Sequence, residues 1–224
     1  MWFNKTLSKK YGHFYLLIIF VILISWFEYL KKTIVPVHIM YCSFDLSIPF
    51  VKEFIVPYFF WFIYMALSFL YFGIVSRKEY YRLLKFISLS MCLGYIIFIL
   101  YPNGQFARPL VVGDDVFSKM VKFLYLTCET NNVFPSLHVA NAVGVHLSVA
   151  YSDKLKNKPI IKLVSFILLI LICASTVFVK QHSIIDVLGG FVLSFVVYMV
   201  IYQAPKLFVR KDYIVNKKNN FLEK

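Results

Sequence analysis

Charge is scarce in this sequence. Only 16% of its 224 residues are charged, and Asp and Glu together number 11 against 24 Lys and Arg. Hydrophobic residues make up 60% and aromatic residues 19%. A water-soluble domain of this length cannot hide so much apolar surface, so the composition points to a polytopic membrane protein. No CxxC pair and no Cys/His cluster occurs, so nothing signals a metal centre. Of the 4 cysteines, Cys92 and Cys173 fall inside apolar runs and read as small packing residues. Cys42 and Cys128 fall in segments on the same side of the membrane. Whether they pair is open, because spacing does not show proximity. The sequence also lacks internal repeats, low-complexity tracts and any stretch that reads as a soluble domain. No small-residue cleavage site follows the first apolar run. Glu28, Lys31 and Lys32 follow it instead, so the run reads as a retained anchor.

What is present is a series of apolar runs near 20 residues each, at roughly 14–30, 54–75, 83–101, 135–151, 160–179 and 184–204. They predict an all-α membrane bundle of about six spans. The domain organisation is an N-tail (1–13), one membrane domain (14–204) and a basic tail (205–224). The net charge of +13 does not signal nucleic acid, because the basic residues sit in short segments between the apolar runs. With the N-terminus inside, most of the 24 Lys and Arg fall in inner segments, as the positive-inside rule requires. Both termini are then cytoplasmic. The loop 102–134, the start of the fourth run and the junction of the fifth and sixth all emerge outside. Polar residues far apart in sequence are thereby expected at one depth: Arg108, Ser136, His138, Lys180, His182 and Asp186.

Three segments carry chemistry. In Lys180-Gln181-His182-Ser183-Ile184-Ile185-Asp186, His182 and Asp186 are four residues apart. If the last span starts near His182, they share a helical face, where the carboxylate can fix the imidazole tautomer and raise its basicity. A structural hydrogen bond at a helix end explains the same pair. In Asn131-Asn132-Val133-Phe134-Pro135-Ser136-Leu137-His138, Pro135 suits a first helical turn, with Asn131 or Asn132 as its cap. Such a helix start offers free N–H groups to a phosphate, Ser136 adds a hydroxyl, and His138 lies where a general acid can reach a leaving oxygen. A capped interfacial histidine is the plainer reading. Arg108-Pro109 places a guanidinium in the outer loop, where it can grip phosphate bidentately or simply be solvated. The segment 117–128 has its apolar residues on one side and reads as a surface helix or an ordinary loop helix. Asp45 and Ile48-Pro49-Phe50 carry no chemical signal.

Taken together and in this order, the three segments resemble the type 2 phosphatidic acid phosphatase superfamily, which includes the vanadium haloperoxidases. Its signature is Lys-x6-Arg-Pro, Pro-Ser-Gly-His and Ser-Arg-x5-His-x3-Asp. Here the corresponding residues are Tyr101-x6-Arg108-Pro109, Pro135-Ser136-Leu137-His138 and Ser175-Thr176-x5-His182-x3-Asp186. The resemblance implies that His182 is a nucleophile forming a phosphohistidine, that Asp186 orients it and that His138 protonates the leaving group. Arg108, Ser136 and the Leu137 amide would hold the phosphoryl oxygens, with no metal or other cofactor. The chain departs from the signature at Tyr101, Thr176 and Leu137, so two expected cations are missing. Lys180 is the candidate to replace one of them. Pro-Ser-Leu-His with Lys-Gln-His is similar to a branch near the inositol phosphorylceramide synthases.

The leading expectation is a multi-pass cell-membrane phosphatase with an extracytoplasmic site, acting on a lipid phosphate or diphosphate. Phosphatidic acid, phosphatidylglycerol phosphate and an isoprenyl diphosphate are the candidate substrates. A phosphotransferase using an alcohol in place of water is the second reading, and a non-catalytic lipid-binding or transport protein the third. A transporter would place its ionisable groups near mid-membrane, not gathered at one surface.

Overall fold

The computed structural model describes residues 10–105 and 108–205. The N-tail and the basic tail therefore lie almost wholly outside the described residues. Among the described residues eight helices follow in order: α1 (Gly12–Thr33), α2 (Phe44–Ser47), α3 (Lys52–Val75), α4 (Arg77–Leu100), α5 (Val116–Thr127), α6 (Leu137–Ala150), α7 (Pro159–Phe178) and α8 (Ile184–Gln203). The only strands among the described residues are β1 (His38–Ile39) and β2 (Asn103–Gly104), paired in parallel. The protein is all-α, as the apolar runs predict. Helices satisfy their own backbone polar groups, which a lipid environment demands.

Among the described residues, five helices are long and apolar enough to cross a membrane: α1, α3, α4, α7 and α8. Their outward faces are apolar, as Leu163, Phe166, Ile167 and Ile170 of α7 illustrate. Such faces suit lipid and not water. The fourth predicted span is different. Helix α6 has 14 residues, about 21 Å at 1.5 Å per residue, and none of its large apolar side chains is exposed. It packs against α3, α4, α7 and α8. Walled by protein, it has no need to match the hydrocarbon thickness.

Close packing there depends on small residues, since lipid gives helices little hydrophobic reason to associate. Ala140, Gly144 and Ser148 form a buried row along α6. A Cβ on Gly144 would lie 2.4 Å from the Phe86 ring of α4, so only glycine fits at this crossing.

Two helix starts differ from the sequence reading. Helix α4 begins at Arg77, not near 83, because Ser76 caps it by accepting the Glu79 amide. The expected inner loop 76–82 shrinks to a single hinge residue. Glu79 then accepts Ser152 Oγ and the Asp153 amide, both at 2.8 Å, tying the start of α4 to the segment after α6. Helix α6 begins at Leu137 with Ser136 as its cap. Pro135 precedes the helix, and neither Asn131 nor Asn132 caps it. Asn131 instead donates to the Lys31 and Ile34 carbonyls.

Candidate active site

The site lies at the end of the bundle where α7 turns into α8. The turn is short. Lys180 takes the left-handed conformation at φ 53°, and the Gln181 and His182 amides both donate back to the Thr176 carbonyl. This sets His182 immediately before the helix. Ser183 is the N-cap of α8, and Asp186 completes a capping box by accepting the Ser183 amide at 2.9 Å. The same Asp186 Oδ2 lies 3.3 Å from His182 Nδ1. The pairing expected from the four-residue spacing is present, but for another reason: His182 is outside the helix, and Asp186 folds back to meet it. Asp186 is wholly buried and His182 is 8% exposed.

The segment before α6 is pressed against this turn. Asn103 is fully buried and uses its whole side chain: Oδ1 accepts the Val133 and Phe134 amides, and Nδ2 donates to the Tyr101 and Phe134 carbonyls. The Ser136 amide donates to the Asp186 carbonyl at 3.0 Å. Gly189 and Gly190 of α8 make the approach possible. A Cβ on Gly190 would stand 2.7 Å from the Ser136 carbonyl, and one on Gly189 would strike the Phe134 ring. The two motifs thus meet across a pair of glycines. His138, one residue into α6, brings its ring to within 5.9 Å of His182, centroid to centroid. Tyr58 and Trp61 of α3 flank it, and its Nε2 is buried without a hydrogen-bond partner.

His182 also lines a cavity of about 330 Å³. Arg108, Lys180, His182, Asp45, Gln105 and Tyr41 are among its lining residues. Arg108 is held by protein oxygens: Nη1 donates to the Tyr125 and Cys128 carbonyls, and Nη2 to the Glu129 carbonyl and Gln181 Oε1. Burial lowers its pKa, with the neighbouring Tyr125 and Cys128 opposing the shift. Lys180 Nζ is bound by the Asp45 and Ile48 carbonyls at 2.9 and 2.5 Å. Burial pulls its ammonium below the usual lysine value, and the charge of Asp45 offsets part of this.

The structure therefore collects all the sequence-identified residues around His182, in two groups. Arg108 and Lys180 line the cavity with it. Ser136, Leu137, His138 and Asp186 are not among its lining residues and belong to the starts of α6 and α8. The Leu137 side chain packs against Gly94 of α4. The positions where the resemblance expects cations lie elsewhere. Tyr101 stacks on His38, and Thr176 is buried with its hydroxyl bonded back to Cys173. Cys42 and Cys128 are both free thiols. The segment 117–128 falls almost wholly in helix α5, capped by Asp115, with Ser118, Val121 and Leu124 buried.

Asp45 was not legible in the sequence. Its carboxylate accepts Ser183 Oγ at 2.6 Å, the Ile184 amide at 2.9 Å and the Cys42 amide at 2.8 Å. Burial would raise its pKa, but these hydrogen bonds together outweigh that and hold it below the usual 3.8. Its scarcity as an acidic residue beside apolar runs was the only signal. Ser183 had a clearer one, since Ser-x-x-Asp before an apolar run is a capping-box pattern.

A bundle of membrane-length helices with a histidine–carboxylate pair beside a cation-lined cavity defines a polytopic membrane protein with a polar site at one end. Residues 89–210 match the family model described as the PAP2 superfamily. The match covers more than half of the chain, and the chain belongs to that superfamily. Neither the curated proteins nor the solved structures contain a match. Members of the superfamily are phosphatases or related phosphotransferases.

Proposed function

We propose that this chain hydrolyses a phosphate or diphosphate ester of a membrane lipid through a phosphohistidine on His182. The observation that carries the reading is the placement of His182. Its Nδ1 faces Asp186, a second imidazole stands 5.9 Å away, and the cavity it lines holds Arg108 and Lys180. With Nδ1–H donated to the carboxylate, Nε2 carries the lone pair that attacks phosphorus. The P–O bond to the lipid breaks as His138 gives its proton to the leaving oxygen. Water then attacks phosphorus while His138 takes its proton, the P–N bond breaks with its electron pair returning to His182 Nε2, and phosphate departs.

Arg108 and Lys180, which line the cavity, hold the phosphoryl oxygens, which makes a metal ion unnecessary; the Ser136 hydroxyl and the Leu137 amide join them where the phosphoryl group moves from the cavity toward the start of α6. Each of the four Arg108 Nη hydrogens already has an acceptor, so it reaches phosphate through Nε–H or by releasing Gln181. A site at a bundle end suits a substrate whose headgroup is at the interface while its tail stays in lipid. The asymmetry of Lys and Arg supports an extracytoplasmic position for that end, at the cell membrane.

The test is phosphate release by the purified full chain in proteoliposomes. The substrates are phosphatidic acid, phosphatidylglycerol phosphate and an isoprenyl diphosphate, each with excess chelator and with or without an acceptor alcohol. His182→Ala should abolish release. Undiminished turnover in that variant overturns the mechanism, strict magnesium dependence overturns the metal-free reading, and a phosphorylated alcohol as main product makes the chain a transferase.

A further inference from the structure

Asp45 lies 138 residues before Ser183, yet three hydrogen bonds join it to the turn that carries the proposed nucleophile. Ser183 and Ile184 are the N-cap and first residue of α8, and both donate to its carboxylate. The cap residue follows the proposed nucleophile directly. Lys180, two residues before the nucleophile, donates to the Asp45 carbonyl and to Ile48 nearby. The Val51 amide adds a bond to the Phe178 carbonyl. The loop from Tyr41 to Phe50 is thus fastened on both sides of His182, and Tyr41, Asp45, Leu46, Ile48 and Phe50 form much of the cavity wall.

We infer that Asp45 is a positioning residue for phosphoryl transfer, fixing the start of α8 so that His182 is held between Asp186 and the cavity. The inference rests on the function proposed above. Asp186 by itself constrains His182 only within its own helix turn. Asp45 ties that turn to a separate part of the chain and thereby sets the turn against the wall that faces the phosphate. Ser183 Oγ is the link: it donates to Asp45 and accepts the Ile185 amide at 3.2 Å. A carboxylate is required because three donors converge on two oxygens. An asparagine would turn an amide hydrogen toward the Ile184 or the Cys42 amide.

The experiment compares Asp45→Ala, Ser183→Ala and the double variant in the full chain, scoring kcat and KM per correctly folded molecule. Folding is checked by gel filtration and thermal unfolding in detergent. Asp45→Ala should lower kcat about 10- to 100-fold, the scale of a misplacement near 1 Å, with KM within about threefold. The double variant should be no slower than Asp45→Ala within about twofold, because both changes cut one tether. A kcat within threefold of wild type, or effects that multiply in the double variant, overturns the inference while leaving phosphohydrolase activity standing. If Asp45→Ala does not fold, the near-isosteric Asp45→Asn carries the same test. Hydrogen exchange at the Ile184 amide reads the tether without turnover. It should quicken in Asp45→Ala even if the wild-type chain releases no phosphate from any lipid tried, and unchanged exchange overturns the tether itself.

Discussion

The imidazole of His138 stands at 63° to that of His182, the two rings 5.9 Å apart between centroids. Each ring has its own setting. His182 is buttressed by a carboxylate, whereas His138 is flanked by Tyr58 and Trp61 with Nε2 unpartnered. The two histidines are therefore expected to fail differently when removed.

Loss of His138 should depend on the leaving group. His138→Ala is expected to cost about 10²- to 10⁴-fold in kcat/KM on an alkyl phosphate, the usual contribution of a general acid. An aryl phosphate, which leaves without protonation, should lose far less. Parallel assays of both substrates check this, and equal losses would assign His138 another role.

Asp186→Asn should separate catalysis from folding. Asparagine with its amide oxygen in the place of Oδ2 can still accept the Ser183 amide and His182 Nδ1–H, so the helix cap survives, but no negative charge remains behind the imidazole to raise its basicity. We expect kcat to drop by about 10²- to 10⁴-fold, as when a carboxylate fixing a histidine tautomer is replaced. The midpoint of thermal unfolding should change little. A large fall in melting temperature with normal kcat would make the carboxylate structural.

Lys180 supplies a pH prediction. Its ammonium titrates below the usual lysine value because it is buried. A phosphate-holding Lys180 must be protonated, so kcat/KM should fall on the alkaline side before pH reaches 10.5, the ordinary value. Lys180→Arg should move that limb upward, since guanidinium stays charged. A limb unmoved by the substitution would show that Lys180 only fastens the neighbouring loop.

Gly190→Ala tests the meeting of the two motifs. The added methyl would lie 2.7 Å from the Ser136 backbone carbonyl, which cannot rotate away. Overpacking of this kind costs about 1–3 kcal/mol, and here it also pushes α6 from α8. Lowered thermal stability together with lowered kcat is expected.

The helices and the three motif segments were readable because hydrophobic runs and short spacings are local properties. Lys180, His182 and Asp186 sit within seven residues, so their proximity needed no fold. Asp45 was unreadable for the opposite reason: its partners are Ser183 and Ile184, and nothing local to Asp45 announces them. The start of α4 was misplaced because Arg77, Lys78 and Glu79 read as loop charge, while Ser76 was in fact capping a helix. The length of α6 was overestimated because an apolar run does not reveal whether lipid or protein surrounds it.

Leu137 stands where the superfamily signature has glycine, and Gly94 stands opposite it on α4, where a Cβ would come within 2.7 Å of Leu137 Cδ2. The two positions share one volume, which either residue can fill but not both. They form a coupled pair that should vary together among relatives, a larger residue at 94 appearing with glycine at 137. The departure from the signature is then a transfer of bulk from one helix to its neighbour.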